Sequence, residues 1–249
     1  MYRDNKITRS VTKEETMSLN SIYKDGTYLA NNPSWHEEDS PWKAKQITRM
    51  LRKHCIVPSR VAEIGCGAGE ILNCLENEYG EEVAFSGFDI SQQAYEICRT
   101  KQKENLQFFL KDLVKEEELT FDLVMAIDVF EHVEDYFGFL RKLKNRGTYK
   151  IFHIPLDLSV QSVLRSSPIL KERSSVGHIH YFTKETALET LKDTGYEVVD
   201  YFYTNSSLEL QNRGWKANLM KLPRAFFYSI HKDLSVRIFG GFSLLVLAK

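Results

Sequence analysis

"VAEIGCGAGE", Val61 to Glu70, decides the reading of this chain. An apolar run ends in glycines at positions 65, 67 and 69, and an acid follows where a helix should begin. Glycine permits left-handed turns and close backbone approach, so a strand, glycine loop and helix in this order form a cradle for a cofactor. The residues around the glycines decide which one. A phosphate-cradling loop needs a closing Gly-Lys-Ser/Thr, and Ala68-Gly69-Glu70 supplies none of it. A dinucleotide fingerprint would put its third glycine at position 70. That position is Glu, and its carboxylate would occupy the place a pyrophosphate needs at a helix N-terminus.

Outward from this loop the chain alternates strands and helices. "RVAEIG" reads as a first strand and Glu70–Tyr79 as a helix carrying Ile71, Leu72 and Leu75. "VAFSGFDI" follows as a second strand, then a helix capped by Ser91, then "LQFFLKD" and "FDLVMAIDVF". The helix of "VEDYFGFLRKLKN" leads to a fifth strand, "TYKIFHIPL". Near-continuous apolar strands separated by helices mean a parallel sheet covered on both faces, an α/β fold of Rossmann-like, three-layer type. Thr183 caps a later helix that stops at Gly195, "YEVVDYFYT" is a sixth strand and "FSLLVLAK" the last. Two stretches break the alternation, an irregular serine-rich insertion at about 157–182 and a basic, aromatic one at about 205–237. Insertions after late strands fall at the carboxyl edge of such a sheet, where ligands bind. Upstream, residues 1–41 read as a tail and lid segment offering Tyr23, Tyr28, Trp35 and His36, and a domain of residues 42–249 opens with a helix at Trp42.

Composition agrees with a globular chain. Its 249 residues carry 43% hydrophobic and 27% charged side chains, and a net charge of -1 gives no global pull toward nucleic acid. Four cysteines without metal-ligand spacing read as reduced thiols, and the N-terminus has no apolar leader, so a cytoplasmic location is expected.

The cofactor that suits an acidic glycine loop is S-adenosylmethionine, which has no phosphate and carries a positive sulfonium. Gly65, Cys66, Gly67 and Gly69 are expected to approach it, with Glu63 and Glu70 adding negative potential. Asp89 ends the second strand about 20 residues past the loop, where an acid takes ribose hydroxyls. Ile90 is then placed against adenine, Asp112 and Leu113 near its amino group, and Asp128 near the sulfonium. Trp42 is expected beside the cofactor.

"EIGCGAGE", "GFDIS", "KDL" and "DVFEHVED", in this order and spacing, resemble the class I S-adenosylmethionine-dependent methyltransferases. The resemblance covers about Trp42 to Lys249 and implies a seven-stranded sheet whose last strand runs antiparallel between the fifth and sixth. "GHIHYFTKETALETLKDTGYEVV" resembles the branch that modifies small molecules, sugars and lipid-linked precursors. S-adenosylhomocysteine would be the product, and oxygen or nitrogen the atom methylated.

Methyl transfer is an in-line displacement that needs alignment and, for an oxygen nucleophile, removal of a proton. His132, His178, His180 and Tyr181 are the acceptor-side candidates, whereas His153 reads as a strand residue satisfied in the core. His178-x-His180 lacks a clear third ligand, so no metal is expected. The basic residues Arg213 to Arg237, where Pro223 is expected to prevent one unbroken helix, leave three roles open: a solvated cap, a seat for an anionic acceptor, or contact with a membrane surface. A binding-only protein, a sensor or partner subunit holding the same cofactor, is the alternative from another functional class.

Overall fold

The computed structural model describes residues 27–35, 37–205, 209 and 221–249. Tyr23 and His36 of the expected lid, and Arg213 and Lys216 of the basic insertion, lie outside the described residues.

Seven strands form one sheet: β1 (Arg60–Ile64), β2 (Ala84–Asp89), β3 (Leu106–Leu110), β4 (Phe121–Ile127), β5 (Gly147–Pro155), β6 (Val198–Thr204) and β7 (Ser243–Ala248). Their order is β3-β2-β1-β4-β5-β7-β6. The first five are parallel, and β7 runs antiparallel between β5 and β6, as the resemblance implied. Side chains alternate across the strands because successive Cβ atoms point to opposite faces. Val124 and Ala126 of β4 join one core, with Leu140 and Leu143 of α5 (Tyr136–Leu143) and Ala187 and Leu191 of α8 (Lys184–Asp193). Leu123 and Met125 join the other, with Ile47 and Met50 of α2 (Ser40–Lys53) and Leu72 and Leu75 of α3 (Glu70–Tyr79). Leu72 and Leu75 are essentially unexposed, and burial of each contributes about 2 kcal/mol.

Chain order explains where the site must be. From β1 the chain steps outward to β2 and β3, then crosses back to β4 on β1's other side and on to β5. The crevice between β1 and β4 is the point where the order reverses, and ligands bind there at the carboxyl ends of the strands.

Local capping follows the sequence where the cap residue is polar. Ser91 accepts from the Ala94 N–H at the start of α4 (Gln92–Cys98), and Thr183 and Thr186 form a reciprocal box before α8. Two expectations need correction. The 157–182 insertion is not irregular throughout; it carries α6 (Val160–Arg165) and α7 (Ser167–Ser175). Ser159 caps α6 through a box closed by Ser162, whose hydroxyl replaces the usual Glu or Gln and so gives a weaker signal. The later insertion contains α9 (Lys221–Ile230) and α10 (Lys232–Phe239), and the break falls at His231 rather than Pro223. Proline in a first turn costs no intrahelical hydrogen bond, whereas His231 Nδ1 accepts from the Leu234 N–H and starts the next helix.

Gly69 serves this packing. It has φ +76°, and a Cβ there would lie 2.5 Å from Phe108 Cε1 and 2.8 Å from Cys98 Cβ. Gly69→Ala should therefore destabilise the fold by about 3 kcal/mol through overpacking and left-handed strain, read as a lower urea midpoint with unchanged slope.

Candidate functional site

A cavity of about 350 Å³ opens at the β1–β4 crevice. Its floor is the glycine loop, where Gly65 and Gly67 have φ +67° and +52°. A Cβ on Gly65 would come within 2.9 Å of Val129 Cγ2, so close strand packing as well as dihedral angle demands glycine there.

Asp89 stands beside the loop, 8% exposed. Its Oδ2 accepts from the Gly67 N–H at 2.9 Å and its Oδ1 from the Ser91 N–H at 2.8 Å. Each carboxylate oxygen has a second lone pair, so two further donors can be accepted from the cavity. Burial raises the Asp89 pKa, and the backbone N–H groups of Ser91, Gly67 and Ile90 oppose that. Ile90 is half exposed on the same wall.

Glu63 also lines the cavity but behaves differently from expectation. It is 1% exposed, and its Oε2 has no hydrogen-bond partner among the described residues. Burial pushes its pKa well above the usual carboxylate range against the pull of Lys43, with Asp89 and Asp128 adding to the rise. It therefore supplies less negative potential than the sequence suggested. Glu70 is held by a cation: its Oε2 lies 3.2 Å from Lys101 Nζ, which also bonds the Ala68 carbonyl at 2.8 Å and ties the loop to the β3 side.

Asp128 is the hub of the opposite wall. Its backbone is left-handed, φ +55°, and its N–H donates to the His153 carbonyl at 2.9 Å. Its carboxylate takes Lys43 Nζ at 2.7 Å and the Nδ1–H of His153 at 2.6 Å, while His153 Nε2 meets Thr204 Oγ1 at 2.8 Å. Burial alone would raise the Asp128 pKa, but the fields and hydrogen bonds of His153 and Lys43 outweigh it and hold the carboxyl far below its usual range. His153 is thus satisfied and buried, as expected of a strand residue, and it also faces the cavity. Trp42 lines the wall, edge-on to His153 at 6.3 Å, with its Nε1–H donating to Glu209 at 2.6 Å.

The far end of the cavity carries His132 and His178, with ring centroids 4.9 Å apart. His132 Nδ1–H donates to the Gly177 carbonyl at 3.1 Å, and His178 Nδ1–H donates to Asp157 Oδ2 at 2.7 Å. Burial and the neighbouring His178 lower the His132 pKa to about 4. Burial works against charge on His178 too, but the Asp157 hydrogen bond and the fields of Glu131, Asp157 and Asp128 raise it to about 9. Glu131 is wholly buried behind them.

The cavity therefore gathers Trp42, Glu63, Gly65, Cys66, Gly67, Asp89, Ile90, Asp128, His132 and His178. Gly69, Asp112, Leu113, His180 and Tyr181 are not on its lining. Strand β3 ends at Leu110, so Asp112 instead starts a short turn, capping the Val114 N–H at 3.2 Å and pairing with Lys115. Leu113 is fully buried in the core. His180 Nε2–H donates to the Val133 carbonyl at 3.0 Å, and the Tyr181 hydroxyl donates to the His178 carbonyl at 2.9 Å, so both hold the loop rather than face the cavity. Lys43, Glu131 and Asp157 were missed as site residues. The signal for Lys43 was its place beside Trp42; Asp157 and His178 are 21 residues apart, and nothing in their spacing announces the pair.

Removing the Asp128 charge leaves Lys43 buried beside a neutral group. Asp128→Asn should cost about 3 kcal/mol at pH 7. Because the folded pKa is depressed, that contribution is complete above the unfolded value of about 4 and fades as pH falls below it. Urea unfolding across pH should show the gap between the two chains narrowing only below about pH 4.

Comparison with known proteins agrees with this geometry. Residues 35–201 match the family model described as "Methyltransferase domain". A pavine N-methyltransferase of Thalictrum flavum subsp. glaucum is 29% identical over 127 residues, covering 47% of this chain and 36% of that relative, so the match spans about a third of its length. Magnesium protoporphyrin IX methyltransferase of Synechocystis PCC 6803, solved with S-adenosylhomocysteine, superposes with a TM-score of 0.61 at 16% identity, over 93% of this chain and 99% of that one. The N-methyltransferase NodS of Bradyrhizobium japonicum WM9, also with S-adenosylhomocysteine, gives 0.57 at 18% identity, over 92% and 96%. At such identities the likeness of structures establishes the fold, and the family model establishes kinship. The chain belongs to the methyltransferase domain family, whose methyl donor is S-adenosylmethionine.

Proposed function

We infer that the protein moves a methyl group from S-adenosylmethionine to an oxygen or nitrogen of a small molecule. One observation carries this reading: a single cavity joins a glycine-and-acid end, Gly65, Gly67, Asp89 and Ile90, to a histidine end, His132 and His178. A binding-only protein would use the first end and leave the second without a purpose. The bound donor supplies an electrophilic methyl on a positive sulfonium. Asp89 offers two acceptor positions to a ribose diol, Ile90 an apolar face to adenine, and the loop backbone its close approach. Asp128, neutralised by Lys43 and His153, fixes the wall between the two ends. Tyr28 and Trp35, 4.7 Å apart, cover the cavity and support the reading of the segment before Trp42 as a lid that excludes water. On the acceptor side His132 and His178 contact the substrate, Asp157 holds His178, and His180 and Tyr181 position the loop.

One specific ground supports a lipid-linked acceptor. Val163 and Leu164 of α6, Leu170 of α7, Phe226, Phe227 and Ile230 of α9 and Leu234 of α10 are large apolar side chains left exposed, while Glu172 and Val176, at the end of α7, line the cavity. Arg165, Lys171, Lys232 and Arg237 stand among them, the pattern of an interfacial surface. No helix among the described residues is long and apolar enough to cross a membrane. All four cysteines are free thiols, which supports a reducing, cytoplasmic setting.

Calorimetric titration should show binding of S-adenosylmethionine and S-adenosylhomocysteine and none of NADH. Asp89→Ala should weaken the first two about 100-fold through lost charge-assisted hydrogen bonds; unchanged affinity would put the ribose elsewhere. Sedimentation with anionic vesicles should carry the chain down at low salt. A Phe226→Ser/Phe227→Ser variant should stay in the supernatant, and equal sedimentation of both chains would remove the surface from the acceptor's route.

A further inference from the structure

The histidine end of the cavity holds a grouping that methyl transfer does not by itself require. Glu131 and His132 come from the turn after β4, and His178 from the segment after α7. One oxygen of Glu131 and one nitrogen of each histidine all lie within 4.8 Å of one another. Glu131 Oε1 is 3.9 Å from His132 Nε2. Ligands held by a dication at about 2.0–2.2 Å sit roughly 3–3.5 Å apart, so closing the trio takes shifts of about an ångström.

We propose that Glu131, His132 and His178 form a binding site for a transition-metal dication of the Zn²⁺ class, at the acceptor end of the cavity.

Three observations support it beyond proximity. Both carboxylate oxygens of Glu131 are fully buried and lack hydrogen-bond partners among the described residues. A buried carboxyl without a partner is costly as the anion, and it is relieved either by a proton, toward which burial shifts it, or by a cation. The histidines, for their part, are prepared for coordination. Each donates its Nδ1–H away from the trio, His132 to the Gly177 carbonyl and His178 to Asp157, which leaves Nε2 as the atom turned to a metal, with the Nε2 proton of His178 released as the cation binds. Metal-bound imidazoles are oriented in this way, by a carbonyl or a carboxylate on the other nitrogen. Finally, the two segments are locked in register without any ion. The Glu131 carbonyl accepts from the N–H groups of Ile179 at 3.0 Å and His180 at 3.1 Å, and His180 bonds back to Val133. The two segments that carry the ligands are thus held together by hydrogen bonds to backbone before a cation arrives, and the side chains make the remaining shift.

Two imidazoles and one carboxylate favour Zn²⁺, Mn²⁺ or Co²⁺ over Mg²⁺, which prefers oxygen ligands. Three protein ligands leave a coordination position for an outside oxygen. His132 and His178 line the cavity, so that oxygen would be an acceptor hydroxyl or carboxylate, polarised next to the methyl donor. This last role rests on the methyl-transfer reading; cation binding does not.

The test uses the full chain, stripped with chelator, kept reduced and free of S-adenosylmethionine. Zn²⁺ titration should give a 1:1 complex, and Co²⁺ should give visible absorption bands of low coordination number. Mg²⁺ at the same concentration should not compete. Glu131→Gln and His178→Ala should each weaken Zn²⁺ at least tenfold, and Asp157→Asn, which removes only the His178 partner, about 10–100-fold. Retained near-ultraviolet circular dichroism establishes that each variant is folded, and the isosteric Glu131→Gln remains decisive if His178→Ala does not fold. Absence of a 1:1 complex, or equal Zn²⁺ affinity in the natural chain and Glu131→Gln, overturns the site. A chain that binds Zn²⁺ in this way but transfers no methyl group refutes the proposed function and leaves the cation site standing.

Discussion

The carboxylate of Asp128 is the interaction on which the arrangement of the site depends. It follows β4 in a left-handed backbone conformation, which is uncommon for a non-glycine residue although Asp tolerates it better than most. Lys43 and His153 hold its carboxylate from α2 and β5, and Thr204 extends the chain of hydrogen bonds to β6. Four elements distant in sequence are thereby fixed at one point, each by a charged or polar side chain at the carboxyl edge of the sheet. The apolar cores determine that the sheet forms. This polar junction determines how its carboxyl edge is shaped.

The cavity's two ends are built on different principles. At the glycine end the backbone does the work, with dihedral angles that only glycine accepts readily and N–H groups spent on Asp89. The histidine end depends on side chains whose outer atoms are already committed, His132 to Gly177 and His178 to Asp157. A ligand at the first end meets a shape; one at the second meets imidazole rings held in fixed orientation. Specificity for a shared cofactor and for a particular acceptor can therefore change independently, because few residues serve both.

Much of this fold was legible in the sequence because its signals are local. The α3 boundaries, Glu70 and Tyr79, follow from the glycine loop before and Gly80 after, and the strands announce themselves as short apolar runs. The insertion of β7 between β5 and β6 came from the resemblance alone, since periodicity carries no information on strand order. For the site, residues next to a motif were found and residues brought in from afar were not. Asp89 follows from its distance to the loop, whereas Asp157 acts only through the path of the chain after β5. Tyr181 and His180 drew attention as polar residues in a loop near the sheet edge, yet their side chains are used up in holding that loop. Asp112 illustrates the remaining error: β3 ends with its apolar run at Leu110, two residues before the end expected for it, and the carboxylate turns into a local cap.

The position of β7 also has a consequence for biosynthesis. It pairs with β5 on one side and β6 on the other, and Leu244, Val246 and Leu247 within it are fully buried. Until it is made, both of those earlier strands present unpaired edges, and neither core is closed over the sheet's second half. A nascent chain at that stage exposes the kind of edges that pair with other chains. Strand β7, made after both of its neighbours, is the one that joins the two halves and removes those edges.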